Sequence, residues 1–240
     1  TGKLHVGHLI PLLKVGEFLK AGFKFKFLIA NLHAHLDDRK SPWELLNSRS
    51  EYDQEMIQAV LDSLKIDTTR LQFVRGSDFQ TNSEYILDIL RMSSLVTFNR
   101  VRRSASEVVR FGDEPKLGGF IYPLMQIMDC VALEVDVGLG GIDQRGIYML
   151  GRELLPELGH RKPTFVFTPL LPGLTGKKMS ASDQNSKIDL LDSSTSLHIL
   201  SSQVARQFVS LSPKPRKQLL KAPCRQGSRW LSQGQIEQSE

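Results

Sequence analysis

Cysteine is nearly absent: two residues in 240, Cys130 in an apolar stretch and Cys224 near the end of the chain. Two thiols so far apart exclude a disulfide framework and a thiolate zinc site, and they fit a reducing compartment such as the cytoplasm. Long hydrophobic runs are also missing. No apolar segment approaches the roughly 18 residues that cross a bilayer, which excludes a membrane-spanning helix, and no membrane association is expected. No signal peptide opens the chain, which starts at Thr1, so a fragment beginning inside a domain is expected. Acidic residues are the minority, 26 against 31 Lys and Arg, for a net charge of +5. That balance is compatible with a polyanion such as RNA but does not require one. What remains is 40% hydrophobic, enough for one substantial α/β domain, with or without an appendage.

Periodicity supplies the elements. Leu9, Leu12, Leu13, Phe18 and Leu19 mark a helix that Pro11 can enter only in its first turn, with Gly22 as a stop. Phe23 to Asn31 reads as a strand, Pro42 to Leu64 as a helix, and Leu71 to Gly76 as a second strand. Helices are expected over Ser83–Val96 and Leu117–Leu133, a strand over Glu134–Val137, a helix from Gly141 that ends before Pro156, and a strand over Thr164–Phe167. Such alternation predicts a mostly parallel sheet with helices on both faces. Ligands of these sheets sit where strands end and helices begin, which directs attention to "HVGHL", "GSDFQ" (Gly76–Gln80) and "GLGGIDQR" (Gly138–Arg145).

Three patterns carry chemistry. In the first, His5 and His8 share a helix face at its N-terminus, where free backbone N–H groups and the dipole favour polyphosphate. Gly7 between them, lacking a Cβ, lets a flat ring approach. The same spacing also arises by chance, with one imidazole in the core and one in solvent. A zincin would need Glu where Val6 stands. In the second, Tyr122, Gln126 and Asp129 form a polar stripe at i, i+4 and i+7 on an otherwise apolar helix. A buried carboxylate needs a partner. That stripe reads either as a polar network to a neighbouring loop or, with Gln144, as a pocket wall that orients an amino acid. The third is "LPGLTGKKMSASDQNSKIDL" (Leu171–Leu190), where Lys177 and Lys178 with Ser180 and Ser182 could close over phosphates, or form a plain flexible basic loop.

Together "HVGH" and "KMSAS" resemble the two signatures of class I aminoacyl-tRNA synthetases. With "YPLMQIMD", "GGIDQR", "GSDFQ" and "LHAHLDD", residues 1–192 are similar to the tyrosyl-tRNA synthetases of the archaeal and eukaryotic type. The resemblance implies a Rossmann-like, HUP-type catalytic domain over 1–192 whose first strand would precede Thr1. It also implies a helical insertion, about 82–125, at a homodimer interface. Residues 193–240, irregular or helical, would hold at most a remnant of the anticodon-binding domain. The implied substrates are L-tyrosine, ATP with Mg²⁺, and tRNA(Tyr), with no protein-bound metal. By motif, His5, His8, Lys177, Lys178 and Ser180 would be catalytic, and His5, Gly7, His8, Asp143, Lys178 and Met179 would bind ATP. Leu28, Ala30, His33, Phe79, Gln80, Tyr122, Gln126, Asp129 and Gln144 would form the tyrosine site. Within it, Asp129 would accept from the phenolic hydroxyl, while Tyr122, Gln126 and Gln144 would take the ammonium group.

Rival expectations remain. His33 and His35 with Asp37 and Asp38 resemble the ligand pair of a metal-dependent hydrolase. A catalytically weak, RNA-binding or regulatory relative would keep the fold without aminoacylation. An HxGH adenylyltransferase accounts for the first loop but not for the Tyr/Gln/Asp stripe. A tryptophan-specific relative fits Asp129 and "GGIDQR" less well. Arg100, Arg102 and Arg103 are candidates for a tRNA acceptor-arm contact or a solvated face.

Overall fold

Helix α1 (Leu9–Lys20) takes Pro11 at its third position, where a backbone N–H would lack a partner anyway. Leu12, Val15 and Leu19 line its buried face. The chain then turns through Gly22 at φ +88°, a conformation that favours glycine. In the computed structural model residues 4–37, 41–109 and 111–171 are described. All of them lie in Thr1–Ser193, the first of two units; the second, Ser194–Glu240, falls outside.

After the turn, β1 (Phe25–Ile29) leads into a short helix α2 (Asn31–Leu36) and then α3 (Leu46–Ser63). Strand β2 (Leu71–Arg75) returns parallel to β1, with Phe25 opposite Leu71 and Ile29 opposite Arg75. Helices α4 (Ser83–Leu95), α5 (Phe98–Ala105) and α6 (Gly118–Ala132) follow. A second parallel pair closes the series: β3 (Val137–Gly141), α7 (Arg145–Glu157) and β4 (Thr164–Thr168). The fold is therefore α/β, and every strand pairing among the described residues is parallel. The expected single sheet is present there as two pairs, β1–β2 and β3–β4. Helix α1 touches strands of both, and Lys26 Nζ on β1 donates to the Leu133 carbonyl at the end of α6, 3.0 Å away.

Two cores result. In one, Leu12, Val15 and Leu19 of α1 and Ile57 and Leu61 of α3 pack with Ile29 against the first strand pair. The other is helical, built on Ile89 and Met92 of α4, Ile127 and Met128 of α6, and Ile147 and Leu154 of α7.

Several boundaries differ from expectation. Residues 134–136 form the exit of α6 rather than a strand: Glu134 turns left-handed at φ 54°, and the Val135 N–H bonds back to the Cys130 carbonyl. The strand instead runs through Gly138 and Gly140, where glycine leaves the room that the rings of Phe165 and Tyr148 occupy. The helix expected from Gly141 is a 3₁₀ turn, Ile142–Gln144, followed by α7 from Arg145. Helix α7 also passes Pro156 to end at Glu157, since a proline in the last turn forfeits only one backbone bond. Helices α2 and α5, of 6 and 8 residues, are too short to show a period.

Candidate active site

At the entrance to α1 the two histidines cap each other. His5 Nδ1 accepts from the Gly7 N–H at 3.1 Å, and His8 Nδ1 accepts from the His5 N–H at 3.1 Å. Their rings stand 4.1 Å apart. His5 caps and His8 closes a 3₁₀ turn, Val6–His8, rather than both lying on one face of the α-helix. Burial lowers the His8 pKa, opposed by the contact of its Nδ1 with the His5 carbonyl at 3.0 Å, which a protonated ring would donate to.

His8 opens onto a hollow of about 320 Å³ that also takes in Leu28, Ala30, His33 and Tyr122. Five of the expected site residues therefore converge. Two further groups at this hollow, Arg49 and Asp53, come from α3. Nothing in the sequence marks them out, because charged residues on an amphipathic helix ordinarily face solvent. Burial raises the Asp53 pKa.

Behind His33 lies the carboxylate of the α6 stripe. Asp129 is 4% exposed. Its Oδ1 accepts from Gln80 Nε2 at 2.7 Å and from the Tyr85 hydroxyl at 2.8 Å. Its Oδ2 is buried without a hydrogen-bond partner, 3.6 Å from His33 Nε2. The two ionisable groups oppose each other's shifts. Burial raises Asp129 above the carboxylate range against the pull of His33, Gln80 and Tyr85, and burial lowers His33 against the pull of Asp129 and the Tyr122 backbone.

The glycine of "GSDFQ" is required by this network. A Cβ on Gly76 would strike the Gln80 side chain and press on Asn31. Asn31 itself braces the loop, donating to Ser77 Oγ at 2.9 Å and accepting from the Ser77 N–H at 3.0 Å. Phe79 packs edge-on against Tyr85, ring centroids 5.7 Å apart. Tyr122 stands edge-on to His33 at 4.7 Å. Gln126 donates to Gln144 Oε1 at 2.8 Å, so the stripe on α6 and the turn before α7 are joined. Asp143 is buried and folds over Gly141, where a Cβ would displace it.

Sequence reasoning missed Tyr85. With Ile89 and Met92 it recurs at i, i+4 and i+7, the spacing of an ordinary core face. Lys177, Lys178, Met179, Ser180 and Ser182 lie outside the described residues, as does Asp38 of the rival metal motif. His33 and His35 do not converge: His35 Nδ1 stands 3.0 Å from the Ser41 carbonyl, with its ring edge-on to Trp43. Among the described residues no group of three or more His, Cys, Asp or Glu could hold a metal. In the arginine cluster, Arg100 pairs with Glu153 and Arg102 lies over the Phe111 ring.

Parallel strand pairs and histidines at a helix entrance beside a hollow define an α/β fold with a candidate ligand site, and comparison with known proteins makes its class specific. The family described as tRNA synthetases class I (W and Y) matches residues 1–207, and the chain belongs to it. Within the family its similarity runs to archaeal and eukaryotic tyrosine enzymes. A tyrosine–tRNA ligase of Haloarcula marismortui is 51% identical over 193 residues, covering 80% of this chain and 56% of that protein. The cytoplasmic tyrosine–tRNA ligase of Xenopus tropicalis is 46% identical, covering 80% of this chain and 37% of the relative. The crystal structure of tyrosyl-tRNA synthetase from Archaeoglobus fulgidus complexed with L-tyrosine superimposes with a TM-score of 0.74 at 40% identity, covering 80% of this chain and 59% of that one. The chain thus spans little more than half the length of its archaeal relatives.

Proposed function

We propose that the chain carries the catalytic domain of a tyrosine–tRNA ligase. Tyrosine's carboxylate attacks the α-phosphate of ATP, pyrophosphate leaves, and the tyrosyl group passes from the adenylate to the 3′-terminal adenosine of tRNA(Tyr). No enzyme nucleophile is required, so the side chains act by positioning and charge stabilisation. His5 and His8 hold the phosphates at the mouth of α1, Gly7 leaves room for adenosine, and Asp143 completes the ATP side. Lys178, helped by Lys177 and Ser180, steadies the leaving pyrophosphate, and Met179 binds ATP. Mg²⁺ enters with ATP, carried by its phosphates.

The single observation that carries the proposal is Asp129 Oδ2, a buried acceptor without a hydrogen bond, 3.6 Å from Nε2 of His33, a residue that lines the hollow with Leu28, Ala30 and Tyr122. A phenolic hydroxyl is the donor such an oxygen lacks. Tyr122, Gln126 and Gln144 then receive the ammonium end, with Phe79 and Gln80 supporting the wall. Residues 1–192 form the catalytic domain, 193–240 hold at most a remnant of the anticodon-binding domain, and the enzyme works in the cytoplasm. The full-length protein is a homodimer through the 82–125 insertion; Ile86, Leu87 and Leu90 on the outer face of α4 are 42%, 57% and 59% exposed.

Pyrophosphate exchange into ATP by the full-length protein tests the reaction. Exchange should be driven by tyrosine, only weakly by phenylalanine, and not at all by tryptophan or in the absence of an amino acid. A folded protein that exchanges none would refute the proposal.

A further inference from the structure

Asp129 presents two unequal oxygens. Oδ1 is saturated by Gln80 Nε2 and the Tyr85 hydroxyl, and Oδ2 makes no hydrogen bond, with His33 Nε2 3.6 Å away. The two donors come from different elements, Gln80 from the loop after β2 and Tyr85 from α4. A carboxylate rotates easily about its last bond, whose torsional well is broad. One donor would leave the group swinging, whereas two donors on one oxygen fix the carboxylate plane and therefore the direction of the other oxygen.

Tyr85 is built for this task. Its side chain is 6% exposed and braced by Phe79. The hydroxyl has one proton and two acceptors within reach, Asp129 Oδ1 at 2.8 Å and the Met125 carbonyl at 2.9 Å. A charged acceptor makes the stronger bond. Burial and the Asp129 charge both raise the Tyr85 pKa, so the phenol keeps its proton and remains a donor.

We propose that Tyr85 is a positioning residue for amino-acid selection: with Gln80 it commits Asp129 Oδ1, so that Oδ2 alone meets the para-hydroxyl of a phenolic substrate. The proposal rests on the tyrosine reading of this pocket. Selectivity then depends on a side chain that touches no substrate and belongs to a helix outside the pocket wall.

Tyr85→Phe removes one oxygen and keeps the packed ring. In pyrophosphate exchange by the full-length protein, the KM for tyrosine should rise about tenfold with kcat little changed, the loss typical of one hydrogen bond to a charged group. The preference for tyrosine over phenylalanine should fall by the same factor. Phenylalanine activation should stay at its unmutated level, which also certifies the fold. Gln80→Met, which strips the other donor from Oδ1, should give the same selective loss. An unchanged preference in a folded Tyr85→Phe protein, or equal losses on both amino acids in both variants, would overturn the proposal. If the unmutated protein itself shows no tyrosine-dependent exchange, the tyrosine reading fails first, and the Tyr85 role falls with it.

Discussion

A buried carboxylate is tolerated only where hydrogen bonds or a charge compensate its lost hydration. Asp129 has hydrogen-bond donors on one oxygen alone, and in the proposed tyrosine site the deficit at the other is what a phenolic substrate would fill. A site with such a deficit rejects a ligand that cannot donate, because the buried oxygen then stays unpaired. Asp129→Ala should therefore cut the tyrosine preference over phenylalanine at least about tenfold in exchange assays; an unaltered ratio would contradict the assignment. His33 makes a second prediction, concerning pH. Its folded pKa lies below the ordinary 6.5, so the neutral ring favours the folded state. That stability is present above pH 6.5 and is lost as pH falls through the lowered value, at up to about 1.4 kcal/mol per pH unit in that window. Asp129 works in the opposite sense, since its raised pKa favours the folded state while it is protonated. Urea midpoints measured from pH 7 to 5 should show His33→Gln losing one proton's worth of slope, whatever happens to absolute stability; an identical slope would exclude His33 as the source. At this scale much of the site was legible. Tyr122, Gln126 and Asp129 stood out as polar residues on an apolar helix. Tyr85 did not, because a phenol at core spacing looks like any other packed ring until its hydroxyl partner is known.

Among the elements, legibility followed length and context. Helices α1, α3, α4 and α6 have at least three turns and a buried face that sets their period. Strand β3 was misplaced because "VGLGG" has little intrinsic strand character; its identity depends on Phe165 and Tyr148, which fill the space its glycines leave. Helix α5 went unseen for a related reason. Its place is fixed by α7, where Gly146 lets the Ser104 backbone carbonyl approach so closely that a Cβ would collide with it. Alanine at position 146 gains about 1 kcal/mol of helix propensity, but a clash with backbone cannot be relieved by a rotamer change. Gly146→Ala should lower unfolding stability by a net ~1–2 kcal/mol in urea denaturation. Gly112, with open space around its Cβ position, is the matched control and should tolerate alanine with little change. Equal behaviour of the two variants would show that the α5–α7 contact is looser than described.

For the whole molecule the decisive surface is α4, a helix with two apolar faces. Tyr85, Ile89 and Met92 point into the helical core, and Ile86, Leu87 and Leu90 lie exposed on the other side. A helix that is apolar on both sides is ordinarily covered on both, and the homodimer proposal supplies the second cover. Leu87→Lys with Leu90→Lys should therefore convert a dimer into a monomer in sedimentation experiments, while an unmutated full-length protein that sediments as a monomer would refute the interface. The same helix carries Tyr85, so the two levels are coupled. Freed of its outer partner, α4 would hold the Tyr85 hydroxyl less firmly against Asp129. The monomeric variant should then show a raised KM for tyrosine with phenylalanine activation unchanged, the pattern expected of Tyr85→Phe. If tyrosine binding in the monomer equals that in the dimer, the core face of α4 is rigid enough to set the pocket without help from the interface.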